Sequence, residues 1–357
     1  MNKSIKEIID QISCISMINE SMNQIFNELQ DNLFFRLNYF KDERNLEIKK
    51  KLTKKYFDRV YLTQSFKNTV IPQRFVCLEP DFFKTLDNFQ IKLESLSGAL
   101  VIVNNNDVSV GGNIDILQQF VLQAETTLFA VWDWDNHHWL SLSCQLAAVS
   151  DLYFPSHSEN LFQLSKFNPS ATHVVQAGTI QWKNEFLQKN KEFILNINRT
   201  NGLLGKHIPY ENFKLRNSIV TKVSETFADV GFVSPQFHML SKEDRLTQWA
   251  TFKAHLIVPV LNDVPIRFFD ALCTGGIPVV PESLKGFFTN YGLHENDVFY
   301  YSSYDIMHME ELISQVFVQF DKDGQTGIER RFELGTSQNH IDNRISKIIE
   351  ICKNKYL

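Results

Sequence analysis

Residues 128–142 read LFAVWDWDNHHWLSL, and the run changes character halfway. An apolar stretch gives way to Asp133, Asp135, His137 and His138, set among Trp132, Trp134 and Trp139. Imidazole titrates near neutrality, so His137 or His138 can take a proton from a hydroxyl. Asp135 or Asp133 at this spacing can orient the ring and raise its basicity. The same residues fit a second chemistry, in which Asp133 and Asp135 form a D-x-D pair that holds a divalent ion across phosphate oxygens. Further along, KAHLIVPVLNDVPIRFFDALCTGGIPVVPESLKGF (253–287) places Asn262 and Asp263 in a polar turn after an apolar strand. Pro265 suits the first turn of the helix that follows, Arg267 and Asp270 share one face of it, and Gly275 and Gly276 end it. Glu282 follows the next strand. A third stretch, NINRTNGLLGKHIPYENF (196–213), offers Gly202 and Gly205 for close backbone approach and Arg199 and Lys206 to neutralise phosphate charge. His157, in FPSHSEN, caps a strand and is a further candidate ligand-binding side chain.

These residues need a scaffold. The chain has 357 residues, 43% of them hydrophobic, enough for more than one core. Its net charge of -5 argues against a generic nucleic-acid or polyanion partner. Five scattered cysteines without C-x-x-C spacing read as buried thiols of a reducing compartment, with no structural zinc site. The N-terminus lacks the apolar core of a signal peptide, and no later segment is long enough to span a bilayer, so a cytoplasmic location is expected. Residues 41–59 carry eight basic residues against four acidic ones. The first reading is a solvated helix face; the second is peripheral contact with anionic headgroups at the inner face of the membrane.

Apolar residues recur at helical spacing through residues 1 to about 60, which gives a helical extension over 1–65. From about residue 70, short apolar runs alternate with helical stretches. Strands are expected at 99–103, 128–132, 151–155 and 172–176, then at 193–198, 254–261, 277–281 and 297–301. Helices are expected between them, including one over SLKGFFTNYG. Continuous apolar strands separated by helices imply parallel sheets covered on both faces. The fold class is therefore α/β, with two doubly wound Rossmann-like domains facing a cleft. They span residues 66–180 and 181–335, and a C-terminal helix covers 336–357. Ligands of such sheets sit at the carboxyl ends of the strands.

The segment DVPIRFFDALCTGGIPVVPESL resembles the donor-binding segment of GT-B glycosyltransferases, and within them the CgeB/YkvP-like or family-4-like branches. The resemblance spans roughly residues 95–305 in strand order, and it implies a glycosyltransferase that moves a sugar from a nucleotide-sugar donor to a hydroxyl of a glycan or lipid-linked cell-envelope acceptor. It implies no cofactor and no catalytic metal, the nucleotide-sugar being substrate. By this analogy Asp270 accepts hydrogen bonds from the ribose hydroxyls. Arg199, Lys206, Asn262, Asp263, Arg267 and Glu282 complete the donor side, and His137, His138 and Asp135 supply the base. Asp133, Trp134 and His157 meet the acceptor. The chain departs from the family pattern in carrying Asp where Glu is usual, and Asn262 or Asp263 where the upstream Glu stands. A metal-dependent GT-A-type transferase using Asp133 and Asp135, and an inactive nucleotide-sugar-binding relative, are the alternatives.

Overall fold

The apolar runs form strands wherever both sheet faces are to be covered. In the computed structural model, which describes residues 40–51, 57–67, 75–109, 113–137, 139–233, 240–261, 263–288, 292–302 and 306–357, ten strands make two parallel sheets. The first holds β1 (Val60–Leu62), β2 (Val76–Cys77), β3 (Leu100–Asn104), β4 (Leu128–Asp133) and β5 (Leu152–Pro155) in the order β2-β1-β3-β4-β5. The second holds β6 (Thr200–His207), β7 (Val230–Phe232), β8 (Phe252–Leu256), β9 (Ile277–Pro281) and β10 (Phe299–Tyr301) in the order β10-β9-β8-β6-β7. Counted within its own domain, each sheet has the same order, 2-1-3-4-5, which puts a topological switch point between its first and third strands.

Period-two alternation decides what each face meets. In β3 and β4, Leu100, Ile102, Leu128, Ala130 and Trp132 join one core, and Val101, Val103, Phe129 and Val131 join the other. Over the first core lie a helix α1 (residues 40–51), through Ile48, and the chain's last helix, through Ile341, Ile345, Ile348 and Cys352. Over the second lie α2 (Phe89–Ser95), a short α3 (Asn105–Val108), α4 (Asn113–Gln123), α5 (Leu140–Val149) and α6 (Leu161–Phe167). The second domain carries α7 (Asn184–Lys189), α8 (Lys191–Asn196), α9 (Lys214–Ser224), α10 (Lys242–Thr251), α11 (Ile266–Cys273) and α12 (Met309–Glu333). The last helix, α13 (Ile341–Tyr356), returns to the first domain.

Several expectations change. Residues 193–198 are largely helix α8, and the strand begins at Thr200. FILNIN is too short an apolar run for periodicity to separate strand from helix. Residues 172–176 form no strand: Val175 gives one backbone bond to Pro155 O, and its own carbonyl takes Trp132 Nε1 at 2.6 Å. SLKGFFTNYG begins in a 3-10 turn, Glu282–Phe288. The first sheet starts at Val60, upstream of the expected boundary at residue 66, and the 336–357 segment belongs to the first domain's core rather than standing apart. Within the basic stretch, Lys41 and Arg44 turn inward. Lys41 Nζ caps the end of α5 at Ala147 O (2.6 Å) and Ser150 O (2.9 Å), and Arg44 pairs with Asp151 at 2.6 Å. Residues 52–56 lie outside the described residues.

Candidate functional site

The two domains enclose a cleft of about 510 Å3 at the carboxyl ends of their strands. From the first domain come Asn106 after β3, Trp134, Asp135 and His137 after β4, and His157 after β5. The second contributes His207, Ile208 and Tyr210 at the end of β6, Arg216 on α9, Trp249 on α10, and Val258 to Asp270 around the end of β8 and the start of α11. Trp134, Asp135 and His137 of the first domain and Asp263, Arg267 and Asp270 of the second, distant in sequence, therefore meet across one crevice.

On the second domain's wall, β8 ends in a tight turn. Asp263 Oδ1 accepts from Val260 N at 2.6 Å, and Leu261 between them has φ 56°, a left-handed conformation that a leucine adopts only where its surroundings impose it. Burial pushes the Asp263 carboxyl up to about 7; the bond from Val260 and the Arg216 charge oppose the rise. Asn262 lies outside the described residues. Helix α11 then runs from Pro265 to a Schellman ending: Gly276 N donates to Ala271 O (2.9 Å) and Gly275 N to Leu272 O (2.8 Å), with Gly275 at φ 76°. Its cleft face carries Arg267 and Asp270. Asp270 is 4% exposed, and its Oδ1 has no hydrogen-bond partner among the described residues. Burial pushes its carboxyl up to about 8, against the pull of Arg267 and Arg245. The Arg267 guanidinium lies 5.9 Å from the centre of the Trp249 ring, and burial brings it down to about 10. A buried acceptor without a donor is costly unless something else donates to it. A vicinal diol has the two hydroxyls such a carboxylate can engage.

The first domain's wall is organised by side chains beneath it. Asp133 is 1% exposed and does not line the cleft. Its Oδ2 accepts from Ser143 Oγ and Tyr153 OH, both at 2.6 Å, and its Oδ1 from Asp135 N at 2.9 Å. With both oxygens so engaged, Asp133 fixes the strand end and does not present a D-x-D pair with Asp135. Asp135 reaches the cleft, where its Oδ2 accepts from Asn105 Nδ2 at 2.8 Å. His137 and His157 stand ring against ring, 4.3 Å between centroids at 64°. His157 Nε2 meets Trp134 O at 3.1 Å; a carbonyl only accepts, so this nitrogen carries the proton. His138 lies outside the described residues. Of the tryptophans, Trp134 lines the cleft, Trp132 is wholly buried and Trp139 is 45% exposed, so no three-ring platform forms.

The glycine-bearing stretch is not a loop. It is strand β6, and Arg199 beneath it donates to Thr274 O (2.7 Å), Ile194 O (3.0 Å) and Phe252 O (3.3 Å). Arg199 thus ties α8, β8 and the end of α11 together, away from the cleft. Burial brings it down to about 9. Lys206 does not reach the cleft, and Glu282 is exposed outside it. Besides Arg267, the cleft is lined by the cation Arg216, the third residue of α9, bonded to Val258 O (3.1 Å) and Ile208 O (2.7 Å) and lying 5.1 Å from the centre of the Tyr210 ring. Asn136 also went unread in the sequence. It is fully buried, and its side chain accepts from His157 N (2.9 Å) and donates to His157 O (2.9 Å), which locks that histidine's backbone. His207 is a neutral structural group: Nδ1 donates to Gly205 O (3.0 Å), Nε2 accepts from Val258 N (3.2 Å), and burial holds it well below the usual imidazole range.

Two face-to-face Rossmann-like domains with the cleft between their strand ends constitute the GT-B architecture. No family model matches the chain, and no curated protein matches it. Among solved structures it is similar to the sucrose-phosphate synthase (tll1590) of Thermosynechococcus elongatus, with 10% identity and a TM-score of 0.50 over 79% of this chain and 83% of that one. The structure of Anabaena Alr3699/HepE in complex with UDP gives 8% identity and a TM-score of 0.49 over 84% and 100% of the two chains. The likeness to the sucrose-phosphate synthase shows the fold. Among the described residues, no helix is long and apolar enough to cross a membrane.

Proposed function

We propose that this protein is a glycosyltransferase that moves a sugar from a nucleotide-sugar donor, held by the second domain, to a hydroxyl of an acceptor held by the first. The observation that carries this reading is the buried Asp270 carboxyl, whose Oδ1 has no hydrogen-bond partner among the described residues, on a cleft wall that faces His137 across the crevice. Asp270 would accept from the ribose diol. Arg267 and Arg216 would supply positive charge to the departing diphosphate without a metal of the reaction's own. His137 would take the proton from the acceptor hydroxyl, with Asp135 beside it at the cleft surface and His157 and Trp134 shaping the acceptor side. Arg199, Lys206 and Glu282 drop out of the donor set, because none of them reaches the cleft. The shared fold with a sucrose-phosphate synthase supports the class of reaction, and the RFFDALCTGG segment supports a CgeB/YkvP-like or family-4-like branch. We place the acceptor among glycans or lipid-linked cell-envelope components and the protein in the cytoplasm. Among the described residues of the 41–59 stretch, the outward lysines Lys49, Lys50 and Lys51 are available to a membrane surface, whereas Lys41 and Arg44 are engaged internally.

The test is a thermal-shift screen with UDP, GDP, CMP, TDP and their sugar conjugates, followed by a hydrolysis assay with whichever conjugate binds. A ligand at a hundred times its dissociation constant adds about 2.7 kcal/mol. Absence of a shift with every conjugate would overturn the reading.

A further inference from the structure

We propose that the cleft binds a divalent transition-metal ion of the zinc class, held by His137 and His157 from one domain and Asp263 from the other. One ring nitrogen of each histidine and one carboxylate oxygen of Asp263 lie within 4.8 Å of one another. All three side chains are buried, at 8%, 7% and 9% exposure, so an ion among them would replace most of its hydration shell with protein ligands. The supporting contacts fit ligation. With Nε2 of His157 donating to Trp134 O, Nδ1 is the lone-pair nitrogen, and a ligating histidine usually gives its other N–H to a carbonyl or carboxylate in this way. Asn136 grips the backbone of the same histidine on both sides. Asp263 is held in place by Val260 N.

Two imidazoles and one carboxylate suit zinc, cobalt, nickel or iron(II) better than magnesium or calcium, which prefer all-oxygen sets. Three protein ligands leave a fourth position for water or an anionic oxygen. Around a tetrahedral ion with bonds of about 2.0–2.1 Å, ligand atoms sit roughly 3.4 Å apart. Taking up an ion therefore draws the two walls together by at most about 1.4 Å, which follows from the 4.8 Å limit less that spacing. The ion would act as a latch across the cleft. It would also occupy the imidazole that serves as base in the transfer reading, so the loaded form would be a resting form. The binding site itself does not depend on that reading.

The 357-residue chain, stripped with a chelator, would be titrated with Co2+ as a spectroscopic stand-in and then with Zn2+. One equivalent of Co2+ should give visible ligand-field bands of low coordination number, Zn2+ should abolish them, and either ion should raise Tm. His157→Ala and Asp263→Asn should each lower the Co2+ affinity at least about a hundredfold with an unchanged far-UV spectrum. Asn keeps the oxygen that Val260 N needs, so the second variant preserves the turn. No bands in the wild type, or the same bands and affinity in both variants, would overturn the site. Stabilisation of the wild type by nucleotide is measured separately, and its presence alongside missing Co2+ bands would reject the metal and leave the donor site standing.

Discussion

Asp270→Asn is the substitution that bears most directly on the donor site. The amide keeps the shape of a side chain that is 4% exposed but cannot be an anionic acceptor. Two charge-assisted hydrogen bonds from a ribose diol are together worth about 3–6 kcal/mol. Against this stands the cost of ionising a carboxyl that burial has raised to about 8, roughly 1.4 kcal/mol at neutral pH. The difference, about 1.6–4.6 kcal/mol, corresponds to at least a roughly fifteenfold loss of affinity in the variant. The pH dependence carries a signature of its own. Nucleotide-sugar binding to the wild type should tighten by up to about tenfold per pH unit below pH 8 and level off above it, whereas Asp270→Asn should be flat. Stability runs the opposite way. Between the unfolded value of 3.8 and about 8 the native state retains a proton that the unfolded chain has lost, so wild-type stability falls as pH rises through this window and the variant is spared the loss. Calorimetric titration with a nucleotide-sugar, whose diphosphate diester does not titrate in this range, reads the first effect, and thermal unfolding reads the second. Equal affinity and equal pH profiles in the two proteins would refute the assignment of Asp270.

Three other substitutions separate chemistry from scaffold. His137→Ala should lower kcat by about 10²–10⁴ in a transfer assay while calorimetry finds donor affinity unchanged. Asp133→Ala should destabilise by about 3–5 kcal/mol in denaturant unfolding, because it strands the buried Ser143 and Tyr153 hydroxyls and the Asp135 amide. Gly276→Ala builds a Cβ 2.3 Å from the His255 ring, which stacks on Trp249 at 5.0 Å. It should destabilise by about 1–3 kcal/mol and weaken donor binding as well, since Trp249 lines the cleft.

Much of the fold was legible because parallel strands buried on both faces must be continuously apolar. LVIVN, LFAVWD and IPVVP can be little else, and the helix after VPVLND announces itself by its proline start and double-glycine stop. Strand β6 was not legible. TNGLLGKH has two glycines and few β-branched residues, a composition that belongs to loops. It is a strand because it lies between β7 and β8, where neighbours come too close for side chains: a Cβ on Gly205 would meet Val230 and Leu256 at 3.1 Å, and one on Gly202 would meet Phe252 at 2.8 Å. The same glycines, read as a phosphate loop, drew Arg199 and Lys206 into the donor site by mistake. Asp263, Arg267, Asp270, Asp135 and His137, picked out in the sequence, all line the cleft, because the strand ends and the turns after them converge there. Arg216 and Trp249 were missed because nothing local distinguishes them and only the meeting of two domains makes them part of a site; Asn136 was missed because its role, holding the His157 backbone, needs the fold of the first domain.

That meeting depends on how the chain passes between the sheets. It leaves the first domain near Ala177, builds the second, and returns at His340 to add α13 to the first domain's core. The two passages lie side by side: Thr179 N donates to Asn339 O at 2.8 Å, Ile341 N donates to Thr179 O at 3.1 Å, and His340 Nε2 meets Trp182 O at 2.9 Å. Gly178, at φ 74°, allows the contact, since a Cβ there would stand 2.1 Å from Asn339 O. The covalent connection between the domains is thus a narrow, hydrogen-bonded pair of segments, and Ala177 and Gln181 from one of them line the cleft. A rotation about this pair leaves both sheets and their cores intact. It changes the separation between groups on opposite walls, such as His157 and Asp263, or His137 and Asp270. The carboxyl ends of the two sheets face each other across the cleft, and the paired passages are the covalent hinge about which such a rotation turns.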